Sequence, residues 1–283
     1  MSASAAPLND LIGPKQSQFY GSRLGGRLDI SMMIGLAIAS AAVVGGIAQT
    51  GVSLSYFLQP TGFLIVIVGT VGITVVTTPR AGLERAAGRV MDLLRSHEFL
   101  KREDLIEEIV SYARLSRTGG VLALEPIARN ASHAFLQEAL LFALDVGNRT
   151  ELQTALEDKL RLAERQGEGD ARVLETAGGF APTVGVMGTV VGLIDALRRF
   201  TDLSSAASGM GVAFVSTVYG LALANLVLLP VANRIRAHVA EAFEVEELIA
   251  EGVLCVFDGI HPQLIRQRLA CFCPEPRRRE LMA

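Results

Sequence analysis

Residues 178–193 read GGFAPTVGVMGTVVGL, a run of glycines and apolar residues that also contains one proline and two threonines. Glycine-rich loops that bind phosphate carry a lysine followed by serine or threonine, or a G-x-G-x-x-G series between a strand and a helix. Here Gly188 is followed by Thr189 and Val190, and no strand pattern precedes the run. The stretch is therefore not a nucleotide-binding loop.

A membrane helix gives the same glycines a purpose, because small residues let neighbouring backbones approach closely. Gly188 and Gly192 have the small-xxx-small spacing, and Gly185 lies near the same face. We predict that these three glycines form a helix-packing surface. Pro182 is expected either to begin this helix, where proline is tolerated, or to mark a hinge.

The charges of the chain are concentrated outside four long apolar stretches. Residues 30–48, 61–78, 177–194 and 204–233 carry no charge. About 20 apolar residues cross a hydrocarbon core of about 30 Å. We therefore predict an all-α integral membrane protein with four transmembrane helices in two hairpins. Four buried core helices of a soluble protein are the alternative.

The pattern divides the chain into five regions. We predict a cytoplasmic, disordered N-terminus, a first transmembrane hairpin, a helical cytoplasmic domain between spans 2 and 3, a second transmembrane hairpin and a helical cytoplasmic tail. Their ranges are 1–29, 30–78, 79–176, 177–233 and 234–283.

Positive charges indicate the orientation of the spans. Arg80, Arg85 and Arg89 follow the second span, whereas residues 49–59 between the first two spans carry no charge. Because loops rich in arginine and lysine are found on the cytoplasmic side of a membrane, both termini and the middle segment are predicted to be cytoplasmic. Two arginines after the third span, at 198–199, run against this rule but are outnumbered.

The cytoplasmic segments have apolar residues at helical spacing, bounded by capping residues and glycine. We predict helices over 102–117 with a stop at Gly119-Gly120, from an N-cap at Ser132 to Gly147, from the capping box at 150–153 to about Gln166, and from Arg234 to Phe257.

The predicted spans contain almost no ionisable side chains. Asp195 is the exception, and it lies about 20 Å along the helix from Pro182, near the outer end and beside the arginines at 198–199. Ionisable residues inside a membrane usually mark function. If this protein moves ions, the ion-accepting carboxylate is therefore expected on another chain. The polar groups at mid-depth are Thr189, Ser216, Thr217, Tyr219 and Asn225.

Hydroxyl oxygens can replace part of an ion's hydration shell or hold water, but they do not titrate. The alternative is that these hydroxyls bond only to carbonyls of their own helices. No catalytic or metal-binding pattern accompanies them, because H-E-x-x-H and G-x-S-x-G are absent. The histidines and cysteines lack ligand spacing, so we expect neither an enzyme nor a metal or cofactor site.

Three motifs in this order resemble the stator A subunit of the flagellar motor, the MotA/PomA family of the MotA/TolQ/ExbB superfamily. They are RTGGVLALE at 117–125, GGFAPTVGVMGTVVGL at 178–193 and AFVSTVYGLALANLVLLPVANRI at 213–235. The resemblance covers about residues 29–270. It implies an ion-conducting subunit of the bacterial inner membrane that couples proton or sodium flow to rotor torque.

The resemblance also implies partners. Family members form a pentamer around a dimer of a MotB/PomB-like B subunit, whose single membrane helix carries the ion-accepting aspartate. Their cytoplasmic face pushes a FliG-like rotor switch protein. The only small species implied is the transported H⁺ or Na⁺.

Residue roles follow from the same resemblance. Thr189 and Thr217 match hydroxyls of the ion pathway, and Ser216 stands where many members have threonine. Pro182 and Pro230 match the prolines at the inner ends of the third and fourth spans, which couple ion binding to movement.

Arg117 and Glu125 match charges that face the rotor switch protein. Thr118 replaces a second basic residue, and Pro126 replaces an acidic residue found in some relatives. The resemblance therefore implies a sparser electrostatic contact, with the arginines at 114 or 129 as substitutes.

Two other functions stay open. An ExbB/TolQ-like proton channel subunit that energises outer-membrane processes shares the glycine-rich span and the hydroxyls, but such proteins usually have one span before the cytoplasmic segment. A non-conducting membrane scaffold would need no hydroxyl alignment. Two apolar stretches before Pro79, together with RTGGVLALE, favour the motor subunit.

Overall fold

A computed structural model of the chain describes residues 30–49, 51, 53–94, 101–275 and 277. Every regular element in this part is helical, which confirms the all-α prediction. The predicted disordered N-terminus, 1–29, lies outside the described residues. The α-helices are α1 (Ile30–Gln49), α2 (Pro60–Phe63), α3 (Gly69–Thr77), α4 (Arg80–Leu94), α5 (Arg102–Gly119), α6 (Glu125–Ala128), α7 (Ala134–Asp145), α8 (Arg149–Arg198), α9 (Leu203–Ala222), α10 (Leu229–Phe257) and α11 (Pro262–Leu269).

Three helices are long and apolar enough to cross a membrane. They are the Pro60–Thr77 helix, α8 and the Ala206–Phe257 helix. The first consists of α2 and α3 joined by a π-helical turn (Leu64–Val68). The third consists of most of α9 and all of α10, joined by a second π-helical turn (Leu223–Leu228). A shorter apolar helix covers Ile34–Gln49. Many of their aliphatic side chains point outwards, as contact with lipid requires.

The chain divides into two compact units. The described part of one, the apolar unit, consists of residues 30–94 and 161–243; that of the other, the charged unit, consists of residues 101–160 and 244–277. The two predicted boundaries at 176/177 and 233/234 fall inside α8 and α10, so neither coincides with the end of a helix.

The charged unit is built around α5, which buries apolar residues at helical spacing. Gly252 of α10 allows close approach, because a Cβ atom there would lie 2.8 Å from Cδ1 of Ile109. Helix α5 ends at Gly119, and Gly120 has a positive φ of 78°, as the paired glycines predict. The fully buried large residues of this unit are Leu105, Ile106, Ile109, Leu124, Leu136, Leu140, Leu152, Leu248, Ile249, Ile265 and Leu269.

Three predictions about helix ends in this region are wrong. The capping box predicted at 150–153 does not start a helix, because α8 begins at Arg149 and the Thr150 amide donates to Oδ1 of Asn148 at 3.0 Å. Helix α7 begins after His133, not Ser132, because the Nδ1 atom of His133 accepts the hydrogen bond of the Phe135 amide at 3.2 Å. The helix expected to stop near Gln166 continues to Arg198 as α8. Two glycines, Gly167 and Gly169, precede the apolar stretch, but neither breaks the helix.

Packing explains why α8 keeps two of its glycines, Gly167 and Gly178. A Cβ atom at Gly167 would lie 2.5 Å from Val239, and one at Gly178 would lie 2.9 Å from Leu229. Helix α10 therefore approaches α8 closely along this stretch. The glycines lower helix propensity by about 1 kcal/mol each, and the close packing that they permit offsets this cost.

Candidate functional site

The site lies in the apolar unit, where α8 crosses α9. A Cβ atom at Gly192 would lie 2.5 Å from the amide nitrogen of Ala213, and one at Gly188 would lie 2.6 Å from Cβ of Ser216. At Gly185 the nearest atom, the Ser216 carbonyl oxygen, would be 3.0 Å away. The three glycines therefore stand at the closest approach of the two helices, where any larger residue would force them apart.

The approach is reciprocal, because α9 carries its own glycines at the same crossing. A Cβ atom at Gly209 would lie 2.6 Å from the amide nitrogen of Ala196, and one at Gly220 would lie 2.6 Å from the carbonyl oxygen of Ala181. Backbone thus faces backbone at several points of the contact, with the small side chain of Ser216 between them at Gly188. Side chains between the two helices can only be short.

Within this crossing the structure brings Thr189 and Thr217 together. Their hydroxyl groups are hydrogen-bonded to each other, and both side chains are half-buried. The Thr189 hydroxyl also lies 3.1 Å from the carbonyl oxygen of Gly185 and 3.0 Å from that of Ala213. Two hydroxyl and two carbonyl oxygens therefore form one cluster, which we call the oxygen cluster.

Ser216 does not join the oxygen cluster. Its side chain is completely buried, and its hydroxyl donates to the Val212 carbonyl at 2.7 Å. A Cβ atom added to either Gly62 or Gly188 would lie 2.8 Å from this hydroxyl oxygen. Ser216 thus fills the space between α8, α9 and the Pro60–Thr77 helix, and it has the backbone-bonded role that the sequence left open.

Both prolines lie inside helices. The expectation that Pro182 begins a helix is wrong, because α8 runs through it. A proline removes one backbone hydrogen bond, and an apolar helix tolerates this where neighbours compensate. Pro230 follows the π-helical turn Leu223–Leu228, whose end is marked by a hydrogen bond from the Leu229 amide to the Ala224 carbonyl. Irregular backbone therefore accompanies Pro230, as is common at functional sites.

Tyr219 has a role that sequence reasoning missed. Its hydroxyl donates to the Phe57 carbonyl and accepts a hydrogen bond from the Gln59 amide at 3.4 Å. Its ring meets the edge of Phe63, with ring centroids 6.3 Å apart. Because Gln59 precedes α2 and makes no side-chain cap, Tyr219 supplies an acceptor for the start of that helix. No sequence signal links residues 160 positions apart.

The oxygen cluster contains no carboxylate. Asp195 instead accepts a hydrogen bond from Nε of Arg199 at 3.0 Å, one of the pairings expected from the sequence. Among the described residues, no group of three or more His, Cys, Asp or Glu side chains could hold a metal ion. The oxygen cluster, which consists only of uncharged oxygens, can bind a water molecule or hold a monovalent cation weakly.

Arg117 and Glu125 lie in the charged unit at two neighbouring helix ends. Arg117 is in the last turn of α5 and Glu125 begins α6, with the 3-10 turn Val121–Leu124 between them. Both are exposed, and neither has an ion-pair partner in the described part of the chain. Leu122, which is 74% exposed, lies between them in sequence. Two charges that are not paired within the described residues and an exposed leucine therefore lie close together along the chain.

A partly exposed polar cluster, centred on Glu108, holds the segment before α7. Glu108 of α5 accepts hydrogen bonds from the Tyr112 hydroxyl at 2.6 Å, from the Ser132 amide at 3.0 Å and from the Ser132 hydroxyl. Burial, followed by the hydrogen bond to Glu108, raises the pKa of Tyr112 above its usual range. Burial lowers the pKa of His133, although the charge of Glu108 opposes this. Ser132 thus anchors the segment before α7 without capping it.

Comparisons with known proteins agree with this arrangement. A profile of the MotA/TolQ/ExbB proton channel family matches residues 127–247. Motility protein A of Bacillus subtilis (strain 168) is 30% identical over 247 residues, covering 87% of this chain and 92% of that protein. Chemotaxis protein PomA of Vibrio alginolyticus is 29% identical over 254 residues, covering 89% and 98%.

The fold agrees as well. The structure of the flagellar MotAB stator complex from Bacillus subtilis contains a chain that superposes with a TM-score of 0.82 at 29% identity, covering 89% of this chain and 98% of that one. Proteins of this kind are channel components and not enzymes. The chain therefore belongs to the MotA/PomA family of flagellar motor stator subunits.

Proposed function

We propose that this stator subunit conducts protons or sodium ions past its oxygen cluster, together with a B subunit, and converts that flow into rotor torque. The observation that carries the proposal is the meeting of Thr189 and Thr217 at a glycine-lined crossing that lacks a carboxylate. The cluster offers neutral oxygens to a passing ion or its water, while the titratable group comes from the partner.

The proposed topology has four spans, with both termini in the cytoplasm of a bacterium and the spans in its inner membrane. Three long apolar helices and the shorter Ile34–Gln49 helix support four crossings. The arginines in α4, directly after the Pro60–Thr77 helix, support a cytoplasmic middle segment. The five regions predicted from the sequence keep their roles in this arrangement.

The proposed partners are a MotB/PomB-like subunit with one membrane helix and an ion-accepting aspartate, further copies of this chain in a pentamer, and a FliG-like rotor protein. The likeness to the flagellar MotAB stator complex supports the first. Arg117 and Glu125, which are exposed and form no ion pair with any other described residue, support a charged rotor protein as the last of these partners. No bound cofactor is needed, because the ion is transported and the torque comes from its flow.

Complementation of a strain that lacks its A subunit tests the ion pathway. Thr189→Ala and Thr217→Ala each remove one hydroxyl of the cluster, whereas Thr189→Ser and Thr217→Ser keep it. Thr183→Ala is the matched control, because Thr183 is exposed on the same helix and bonds only to the Phe180 carbonyl.

We expect the alanine variants to insert into the membrane normally and to abolish swimming or slow it strongly, with the serine variants and Thr183→Ala near wild type. Swimming speed measured against external sodium, with and without a protonophore, then identifies the ion. Normal motility of both alanine variants would remove the oxygen cluster from the ion pathway.

A further inference from the structure

The Pro60–Thr77 helix buries hydroxyl groups and exposes aliphatic ones. Its buried face repeats every fourth residue and includes Thr70 and Thr74, which are 2% and 8% exposed. Val71 and Val75, by contrast, are more than half exposed. A helix that only packed against its neighbours and faced lipid outside would place valine equally well at the two buried positions. The buried threonines therefore need a separate explanation.

Thr74 is satisfied and Thr70 is not. The Thr74 hydroxyl donates to the Thr70 carbonyl at 2.7 Å. Oγ1 of Thr70 has no hydrogen-bond partner, and no other buried side-chain nitrogen or oxygen in the described residues lacks one. The π-helical turn Leu64–Val68 ends just before Thr70, and the Gly69 amide bonds to the Ile65 and Val66 carbonyls. Thr70 therefore directly follows irregular backbone.

A buried hydroxyl without a partner is costly. It loses its hydrogen bonds to water without replacement, and inside a membrane no lipid group can compensate. Proteins usually meet this need with an ordered water that makes about three hydrogen bonds to such groups. A cation is a poorer match, because the described residues include no carboxylate on this face of the helix.

The place of Thr70 connects it to the oxygen cluster. A Cβ atom on the preceding residue, Gly69, would lie 3.0 Å from Cγ1 of Val184, which stands in α8 between Pro182 and Gly185. Thr189 is five residues further along α8, or about 7.5 Å at 1.5 Å per residue. In the proposed topology, Thr70 therefore lies on the cytoplasmic side of the cluster, at the level of Pro182.

We propose that Thr70 binds a water molecule at the buried face of the Pro60–Thr77 helix, and that this water is the next polar group of the ion route on the cytoplasmic side of Thr189 and Thr217. The first half of the proposal is independent of function, whereas the second half rests on the proposed ion conduction. The ligand is water itself, held by the free Thr70 hydroxyl.

High-resolution structures of the whole stator complex test the water site. We expect solvent density within about 3 Å of Oγ1 in the wild type and in Thr70→Ser, and none in Thr70→Val, which keeps the shape but not the hydroxyl. Thr77→Val is the matched control, because Thr77 lies on the same helix with its hydroxyl bonded to the Ile73 and Thr74 carbonyls. Absence of solvent density at wild-type Thr70 overturns the proposal.

Swimming speed of the same variants tests the route. We expect Thr70→Val to reduce ion-driven rotation about fivefold, the factor expected for one lost hydrogen bond, with Thr70→Ser and Thr77→Val unchanged. Full speed in Thr70→Val overturns the role in the route, even where the density is present. Failure of the proposed function itself is recognised separately, because the alanine variants of Thr189 and Thr217 would then also swim normally.

Discussion

Asp170 is the most completely buried charged side chain among the residues described here, and its replacement tests how the apolar unit is held together. Its side chain is 2% exposed and lies in α8. Oδ1 accepts a hydrogen bond from Nε of Arg85 at 3.1 Å, and Oδ2 lies 3.5 Å from Nε of Arg89. Both arginines belong to α4, so one carboxylate ties α4 to α8. The next residue, Ala171, is fully buried in a cluster with Leu93, Ile235 and Val239.

Asp170→Asn keeps the shape of the side chain and removes its charge. Breaking a fully buried ion pair costs about 3–5 kcal/mol, and breaking an exposed pair about 0–1 kcal/mol. The carboxylate here is buried, but Arg85 and Arg89 are 47% and 25% exposed, so water solvates them after the change. We therefore expect a loss of about 2 kcal/mol in the free energy of unfolding, between the two limits.

Thermal unfolding of the purified stator complex measures this loss, which corresponds to a fall of roughly 5 °C in the midpoint. Glu168→Gln is the matched control, because Glu168 is also in α8 but pairs with Arg236 at 3.3 Å across an exposed surface. We expect the control to change the midpoint by about 1 °C or less. Equal midpoints for the two variants would refute the argument that burial of the carboxylate makes this pair important.

Three further outcomes can be checked. Gly192→Ala should prevent assembly of the stator, measured by co-purification with the B subunit, because the new methyl group would lie 2.5 Å from the Ala213 amide nitrogen. The control Gly179→Ala should assemble normally, because no atom lies within 4 Å of its new methyl group. Tyr219→Phe should slow tethered-cell rotation by loosening the start of α2, while Tyr56→Phe, on a residue 68% exposed, should not. Burial lowers the pKa of His133, so its side chain binds fewer protons in the folded than in the unfolded protein, and the free energy of unfolding should fall as the pH drops below about 6.5. His133→Asn, whose side-chain oxygen can still accept the hydrogen bond that caps α7, should weaken this pH dependence in thermal melting curves measured across the same pH range.

The helical class and the apolar stretches could be predicted because both depend on composition. A stretch without charges over about 20 residues has few alternatives to a membrane helix, and three of the stretches predicted from the sequence lie in helices long enough to cross. The continuity of α8 could not be predicted, because glycine and proline usually end helices. The contacts of Gly167 and Gly178 with α10, which offset this tendency, become visible only in the fold.

The same limit applies to the candidate site. Ser216 and Thr217 are adjacent in sequence, but neighbours on a helix point about 100° apart, so their hydroxyls reach different partners. The Thr217 hydroxyl bonds to Thr189 of α8, whereas Ser216 lies between Gly188 of α8 and Gly62 and bonds to the Val212 carbonyl. Sequence reasoning could identify the hydroxyls but had no means to choose between them.

The arrangement of the oxygen cluster explains why this chain needs a partner. Thr189 and Thr217 bond to each other, and the two nearby carbonyls belong to helices that already use them. Four neutral oxygens pre-arranged in this way can solvate an ion for a moment but cannot hold it, because no fixed negative charge balances it. A carboxylate on a second chain would supply that charge only while it faces the cluster. Ion flow would then require the two chains to move relative to each other, and the glycine-lined crossing of α8 and α9 keeps the cluster fixed in this chain while they do so.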